Sequence, residues 1–299
     1  MNILISGSTG LIGRAVSKHL TKQGHTVYPL HRNPKTKELH YWRPEENLIH
    51  LDETIKIDSV IHLAGENIAD SRWTKDKKNK IVNSRVHGTR LLAEHIASLK
   101  SPPSLFISAS AIGYYGDTGS NLVNESSSRG SGFLSDISVA WEAATLAVEE
   151  ANIRTIHLRT GVVLSPEDGV LKKMLLPFKL GLGGIIGDGQ QYMSWISVND
   201  IVKIIERMIN DEKLSGPYNL VAPQAVTNHT FTKALGHTLH RPTIFPLPAF
   251  IARLMFGEMA DALLLSSSRV SANRLTAIGY EFIDDEINKT LSHLLHNKA

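Results

Sequence analysis

The first 165 residues alternate between two textures. Short apolar runs bounded by glycine or polar residues read as buried strands at Asn2–Ser6, Thr26–Leu30, Ser59–Leu63, Ser104–Ala109 and Arg154–Leu158, with Leu39–Trp42 as a shorter sixth. Between them, apolar positions recur every three or four residues, the interval of one helix face. Ile12, Ala15, Val16 and Leu20 mark a first helix that Gly24 can close. Ile81, Val86, Leu91, Leu92 and Ile96 mark a long one broken by Pro102 and Pro103, and Trp141–Glu150 reads as another. Strand–helix alternation with right-handed crossovers predicts an α/β fold, a doubly wound parallel sheet with helices on both faces.

Beyond Leu164 the pattern changes. Glycines cluster at 181–189, a strand–helix pair returns at Ile196–Ile209, and Tyr218–Val221 reads as one more strand. The last seventy or so residues look helical, with prolines at 242, 246 and 248. The expected organisation is an α/β domain over 1–222 and a smaller helical C-terminal domain over 223–299. No flexible linker separates them, so they are expected to share an interface.

Composition narrows the function classes. The chain has 299 residues, 42% hydrophobic and 20% charged, which is ordinary globular usage. Its lack of cysteine removes disulfides, zinc-thiolate sites, iron–sulfur clusters and cysteine nucleophiles together. With 32 basic and 29 acidic side chains the formal charge is only +3, so neither nucleic acid nor a membrane surface is expected as a partner. No window approaches the roughly 18 apolar residues of a membrane span. The nearest, TIFPLPAFIARLMFG at 243–257, carries two prolines and Arg253. The opening MNILISG lacks the basic start of a signal peptide, and a cytoplasmic location is the expectation.

One segment carries chemistry outright. Residues 7–13 read GSTGLIG, directly after the first strand and opening the first helix. Gly7 permits a tight turn, Gly10 lets backbone approach a diphosphate, and Gly13 lets helix and strand pack closely. The amides of Ser8, Thr9, Leu11 and Ile12 then face an anion at the helix start. The second strand ends at His31-Arg32, without the carboxylate that usually binds the adenosine ribose of NAD. Arg32 suits a 2′-phosphate instead, with His31 beside it, so the expected cofactor is NADP.

With VIHLAGENI (60–68), SRVHGT (84–89), SASAIGYYG (108–116) and LRTGVVL (158–164), the chain resembles an extended short-chain dehydrogenase/reductase. GGIIGDGQQYMSWISVND (183–200), YNLVAP (218–223) and GEMADALLLSSSRV (257–270) narrow the resemblance to an atypical sugar-nucleotide epimerase-like branch, also labelled cell-division-inhibitor-like, with its own helical C-terminal domain. The resemblance implies a Rossmann-type NAD(P)-binding domain over 1–222, with 165–195 contributing to a substrate cleft, and places Leu63, Ala64 and Gly65 under the cofactor with Glu66 beside them. It further implies that Arg85 touches the cofactor and that Val163 lies near the nicotinamide.

The same resemblance exposes a departure. Relatives of this kind use Tyr-x-x-x-Lys, the tyrosine as acid/base and the lysine lowering its pKa. None of the seven tyrosines here has a lysine four residues on, and spacing from Arg159 places Ile137 and Trp141 where the pair belongs. Ser110, or its neighbour Ser108, and Tyr114, or Tyr115, are the substitutes; Glu125, Glu142 and Asp188 are carboxylates in the same motif segments. The expected function is an NADP(H)-binding epimerase-like oxidoreductase on a small polar or carbonyl substrate. The alternative is a catalytically degenerate cofactor sensor acting through a partner.

Remaining clusters read as surface. His237/His240 and His293/His296 have helical spacing but no carboxylate between them, and are expected to be solvated rather than to bind metal. The run KDKKNK (75–80) is expected to be a solvated face, with Lys80 within reach of a cofactor phosphate.

Overall fold

The computed structural model describes residues 1–32 and 39–296. It opens with β1 (Asn2–Ser6), α1 (Leu11–Lys22), β2 (Thr26–Arg32), β3 (Tyr41–Arg43), β4 (Leu48–His50) and β5 (Ser59–His62). Then follow α2 (Lys75–Val82), α3 (Gly88–Ala97), β6 (Leu105–Ala111), α4 (Phe133–Ala143), α5 (Leu146–Glu150) and β7 (Arg154–Thr160). These strands, with a later one, β11 (Gly216–Leu220), form one sheet in the order β11-β7-β6-β5-β1-β2-β3-β4. All pairings are parallel except β3 with β4 at the edge.

The alternation of side chains along each strand builds two cores. Ile3 and Ile5 of β1, Ile61 of β5 and Ile107 of β6 face one layer; Leu4, Val60 and Phe106 face the other. Both layers are dry because helices cover them, which is why these strands read as unbroken apolar runs. From β1 the chain winds outward through β2, β3 and β4, then returns to β5 on the other side. The crevice beyond the ends of β1 and β5 is therefore the topological switch point, where doubly wound sheets bind ligands.

The second half adds β8 (Val162–Leu164), α6 (Gly169–Lys179), β9 (Tyr192–Met193), β10 (Trp195–Ser197) and α7 (Val198–Asn210) ahead of β11. After it come β12 (Val226–Thr227), α8 (Asn228–Thr238), α9 (Ala249–Phe256), α10 (Asn273–Ala277) and α11 (Ile287–His296). A third core joins Leu164, Leu171, Phe178 and Trp195 to Phe231, Leu235, Ile287 and Leu291. The helical C-terminal region thus packs on the segment around α6.

Three expectations need correction. The third strand begins at Tyr41 rather than Leu39. The long helix of 75–97 is interrupted by a π-helical stretch, Asn83–His87, which periodicity alone does not reveal. The helix expected at 141–150 starts at Phe133 and breaks after Ala143, where the Thr145 hydroxyl caps the Glu142 carbonyl at 2.8 Å.

Candidate functional site

The glycine loop is built as its spacing requires. Gly7 adopts φ +69°, and a Cβ there would sit 2.7 Å from the Leu63 carbonyl carbon. A Cβ on Gly13 would overlap the Gly7 carbonyl oxygen, so helix α1 can reach this close to β1 only with glycine. Gly10 closes the turn by donating to Gly7 O at 3.0 Å and caps α1 in extended conformation. The helix start faces a cleft of about 720 Å³ walled by Gly7, Ser8, Thr9 and Gly10. Opposite lie Leu63, Ala64, Gly65 and Glu66, with His31, Arg32 and Lys80 farther along. A diphosphate fits this cradle: exposed amides, no side chain in the way, and cations at the far end.

Not every expected contact reaches the cleft wall. Ile12 packs into the first core, and Leu11 lies against Gly169. Val163 pairs with Ile196 in the β8–β10 ladder and packs on the same core. Gly13 is buried behind the loop. Glu66 is held by Lys77, whose Nζ donates to Oε1 at 2.7 Å and reaches Asp70 at 2.6 Å. Lys77 is only 8% exposed, so the run KDKKNK is not uniformly solvated as expected.

The adenosine end holds a group that spacing does not show. The Pro44–Glu46 turn brings Glu45 to Arg32, Oε2 to the guanidinium at 3.3 Å, with both side chains about half exposed. A carboxylate therefore does stand here, supplied from thirteen residues later. A 2′-phosphate on Arg32 must compete with it.

Arg85 comes from the π-helical stretch. Its guanidinium donates to Glu66 O at 2.9 Å, lies against Gly65 and sits 5.0 Å from the centre of the Trp141 ring. Burial pushes its pKa down to about 10, so it stays charged at neutral pH. Trp141, at the position the resemblance assigns to lysine, donates from Nε1 to Thr89 Oγ1 at 2.9 Å. The same hydroxyl lies 2.9 Å from His62 Nε2, and His62 Nδ1 lies 2.6 Å from Ser6 Oγ. This buried chain runs from the end of β1 to α4. Ile137, at the tyrosine position, is simply buried core.

The ends of β6 and β7 carry the second cluster. Ser110 donates to Glu142 Oε1 at 2.7 Å. Arg159 grips both Glu142 oxygens, Nε to Oε1 at 2.8 Å and a terminal nitrogen to Oε2 at 2.8 Å. Burial opposes the Glu142 charge, but Arg159 and Ser110 outweigh it and hold the carboxyl below its usual range. The Arg159 guanidinium lies 3.5 Å from the centre of the Tyr114 ring. No protein partner for the Tyr114 hydroxyl occurs among the described residues, and the side chain is only half-buried.

Tyr115 is different. It donates to Asn219 Oδ1 at 2.7 Å and accepts from Arg159 at 3.0 Å, deep inside. Burial raises its pKa, leaving a neutral structural phenol. Glu125 closes the circuit by accepting from the Asn219 amide at 2.8 Å. Ser108 is fully buried, so Ser110 is the serine that joins this network. Asp188 lies outside it, capping Gln190 N at 2.9 Å. Two C-terminal histidines expected to be solvated have partners: His293 lies 2.8 Å from Asp284 and His296 lies 3.2 Å from Thr238 O.

Comparison with known proteins agrees with this geometry. An epimerase family protein of Mycobacterium bovis is 39% identical over 292 residues, spanning 97% of this chain and 96% of its own. The crystal structure of human epimerase family protein SDR39U1 with NADPH superposes with a TM-score of 0.90 at 31% identity, covering 99% of this chain and 100% of that one. A nucleoside-diphosphate sugar epimerase from Corynebacterium glutamicum gives a TM-score of 0.81 at 34% identity, covering 99% of this chain but 58% of that one. Residues 247–294 match a domain of unknown function, DUF1731. Residues 3–220 match the NAD dependent epimerase/dehydratase family, and with the crevice, the glycine cradle and these relatives the chain belongs to that family.

Proposed function

We propose that this chain is an NADP(H)-dependent, epimerase-like oxidoreductase acting on a small polar or carbonyl substrate. The observation that carries the reading is the pairing of two features along one sheet end. A glycine cradle ends at Arg32, and a separate cluster joins Ser110, Glu142, Arg159 and Tyr114. The human relative crystallised with NADPH supports the choice of cofactor. When bound, the nicotinamide supplies or accepts hydride.

The protein's part follows from its own groups. The amides around the helix start hold the diphosphate, without that of Gly10, which is spent on Gly7 O, and Arg32 takes the extra phosphate. Ser110 is held by Glu142, which Arg159 keeps anionic, so the serine donates its proton to that carboxylate and keeps its oxygen lone pairs for an acceptor role. Ser110 then accepts a hydrogen bond from the substrate hydroxyl, while Glu142, engaged by Arg159 on both oxygens, stays unprotonated. Tyr114, with its ring under the Arg159 cation and its hydroxyl without a protein partner among the described residues, takes the proton from a substrate hydroxyl in one direction and returns it to the carbonyl oxygen in the other.

The test is NADPH oxidation against a panel of carbonyl compounds, with Ser110→Ala and Tyr114→Phe variants. Turnover that falls in both variants supports the assignment. Turnover indifferent to both removes it, and tight NADPH binding without any turnover favours a cofactor-sensing role.

A further inference from the structure

Two basic stretches without a carboxylate, each bordered by one, meet in the C-terminal half of the chain. Residues 169–187 carry three lysines, and residues 241–257 carry two arginines. The fold lays them side by side. Arg241 Nε donates to Lys179 O at 2.9 Å, Leu247 N to Ile185 O at 2.8 Å, and Gly187 N to Leu247 O at 2.9 Å. Gly184 is pressed against the Phe245 carbonyl so tightly that no Cβ would fit.

Along this joint surface Leu176, Leu180, Phe245, Phe250, Leu254 and Met255 are each 54–75% exposed. Leu182 and Ile244, in the same two stretches, are 58% and 68% exposed as well; so many exposed apolar side chains on adjoining segments mark a surface that meets something. Of the cations, Arg253 is neutralised by Asp261 at 2.9 Å, and Lys173 donates to Ala69 O at 2.7 Å. Lys172, Lys179 and Arg241 are exposed and form no ion pair among the described residues.

The charge decides the occupant. A second copy of the same face, docked about a two-fold axis, would bring a second set of these cations into the interface without a carboxylate from either stretch to pair them. A neutral apolar partner would leave them unmatched. An anionic lipid surface satisfies both features, taking apolar side chains into the headgroup–acyl boundary and cations against phosphates.

We propose that α6, α9 and the segments beside them form a docking face for an anionic membrane surface. No helix among the described residues is long and apolar enough to cross a membrane, so the protein would lie on the bilayer. The overall charge of +3 hides this face because the sum over the chain includes the carboxylates that border the two stretches, Asp168, Asp188 and Glu258. Both helices also touch the loop after Glu66, through Lys173 to Ala69 O and Arg72 to Leu254 O, so the face adjoins the cleft. The inference is independent of what the cleft turns over.

The experiment is co-sedimentation of the full chain with vesicles of phosphatidylcholine alone or mixed with phosphatidylglycerol, at low and high salt. The expected result is binding to the mixed vesicles only, weakened by salt. The Lys172→Glu/Lys179→Glu variant is expected to lower partitioning roughly tenfold or more. Phe250→Ser/Leu254→Ser should abolish it while its thermal melt matches the parent's. Absence of binding to either vesicle, equal binding to both, or a concentration-dependent dimer broken by the same serine substitutions would each overturn the proposal.

Discussion

Glu142 and Arg159 meet edge to edge, two parallel hydrogen bonds of 2.8 Å each, with the carboxylate side chain 13% and the guanidinium side chain 5% exposed. Seventeen residues separate them in sequence, one on α4 and one on β7, and the pair ties a helix to a strand end directly beneath Ser110 and Tyr114.

Removing one partner leaves the other buried and uncompensated. Arg159→Met is expected to cost roughly 3–5 kcal/mol, the range for a broken buried pair. Glu142→Gln/Arg159→Met should cost less than the sum of the single changes. Chemical denaturation of the three variants measures this directly, and full additivity would mean that the two residues do not interact.

The same pair sets an acid limit. The Glu142 carboxyl is held below its usual range in the fold, so its stabilisation is complete above the ordinary carboxylate pKa and is lost as pH falls through the lower folded value. Melting temperature against pH should therefore lose an acid-side component in Glu142→Gln.

His62 adds a second, separable pH dependence. It is wholly buried, and burial pushes its pKa from 6.5 down to about 4. A neutral imidazole in the fold must gain a proton that the unfolded chain already takes near 6.5, so stability is full above that value and falls as pH drops toward about 4. The shift corresponds to roughly 3 kcal/mol. His157, also pushed down by burial, contributes with the same sign. His62→Asn is expected to be less stable overall but with a flatter stability profile between those two pH values.

At the adenosine end, Arg32→Asp should weaken NADPH binding about 10- to 100-fold, the range for losing a hydrogen-bonded charge, and affect NADH much less. Glu45→Gln should act in the opposite direction, because it removes the carboxylate now 3.3 Å from Arg32. Equal effects on the two coenzymes, by fluorescence titration, would refute the phosphate assignment.

Gly13→Ala tests the cradle from behind. The new methyl overlaps the Gly7 carbonyl oxygen, so α1 must move away from β1. About 1–3 kcal/mol of stability and a large part of coenzyme affinity are expected to go together. Retained affinity would show that the loop tolerates the shift.

How much of this was legible in the sequence depends on distance along the chain. The sheet strands were readable because parallel strands covered on both faces favour unbroken apolar runs, as in Ile3-Leu4-Ile5 and Val60-Ile61. The glycine loop was readable because its geometry is set within seven residues. Glu45 was not, because the turn that carries it to Arg32 follows a segment whose path no periodicity encodes. The π-helical stretch at Arg85 keeps a helix-like hydrophobic pattern, so only coordinates distinguish it. Glu142 was noticed as one carboxylate among several, but its partner Arg159 lies on another element, and only the fold shows which carboxylate carries the charge. Phe250, Leu254, Met255 and Phe256 have the spacing of one helical face, which in sequence reads as core or a dimer contact, and only the fold shows the first three exposed beside basic residues.

The central claim is that the amides at the start of α1, together with Arg32, hold a phosphorylated dinucleotide. Isothermal titration calorimetry of the folded protein with NADPH and with NADH tests it most directly. Saturable binding to both, tighter for NADPH, is the predicted result. A folded sample that shows neither heat nor saturation with either coenzyme would contradict it.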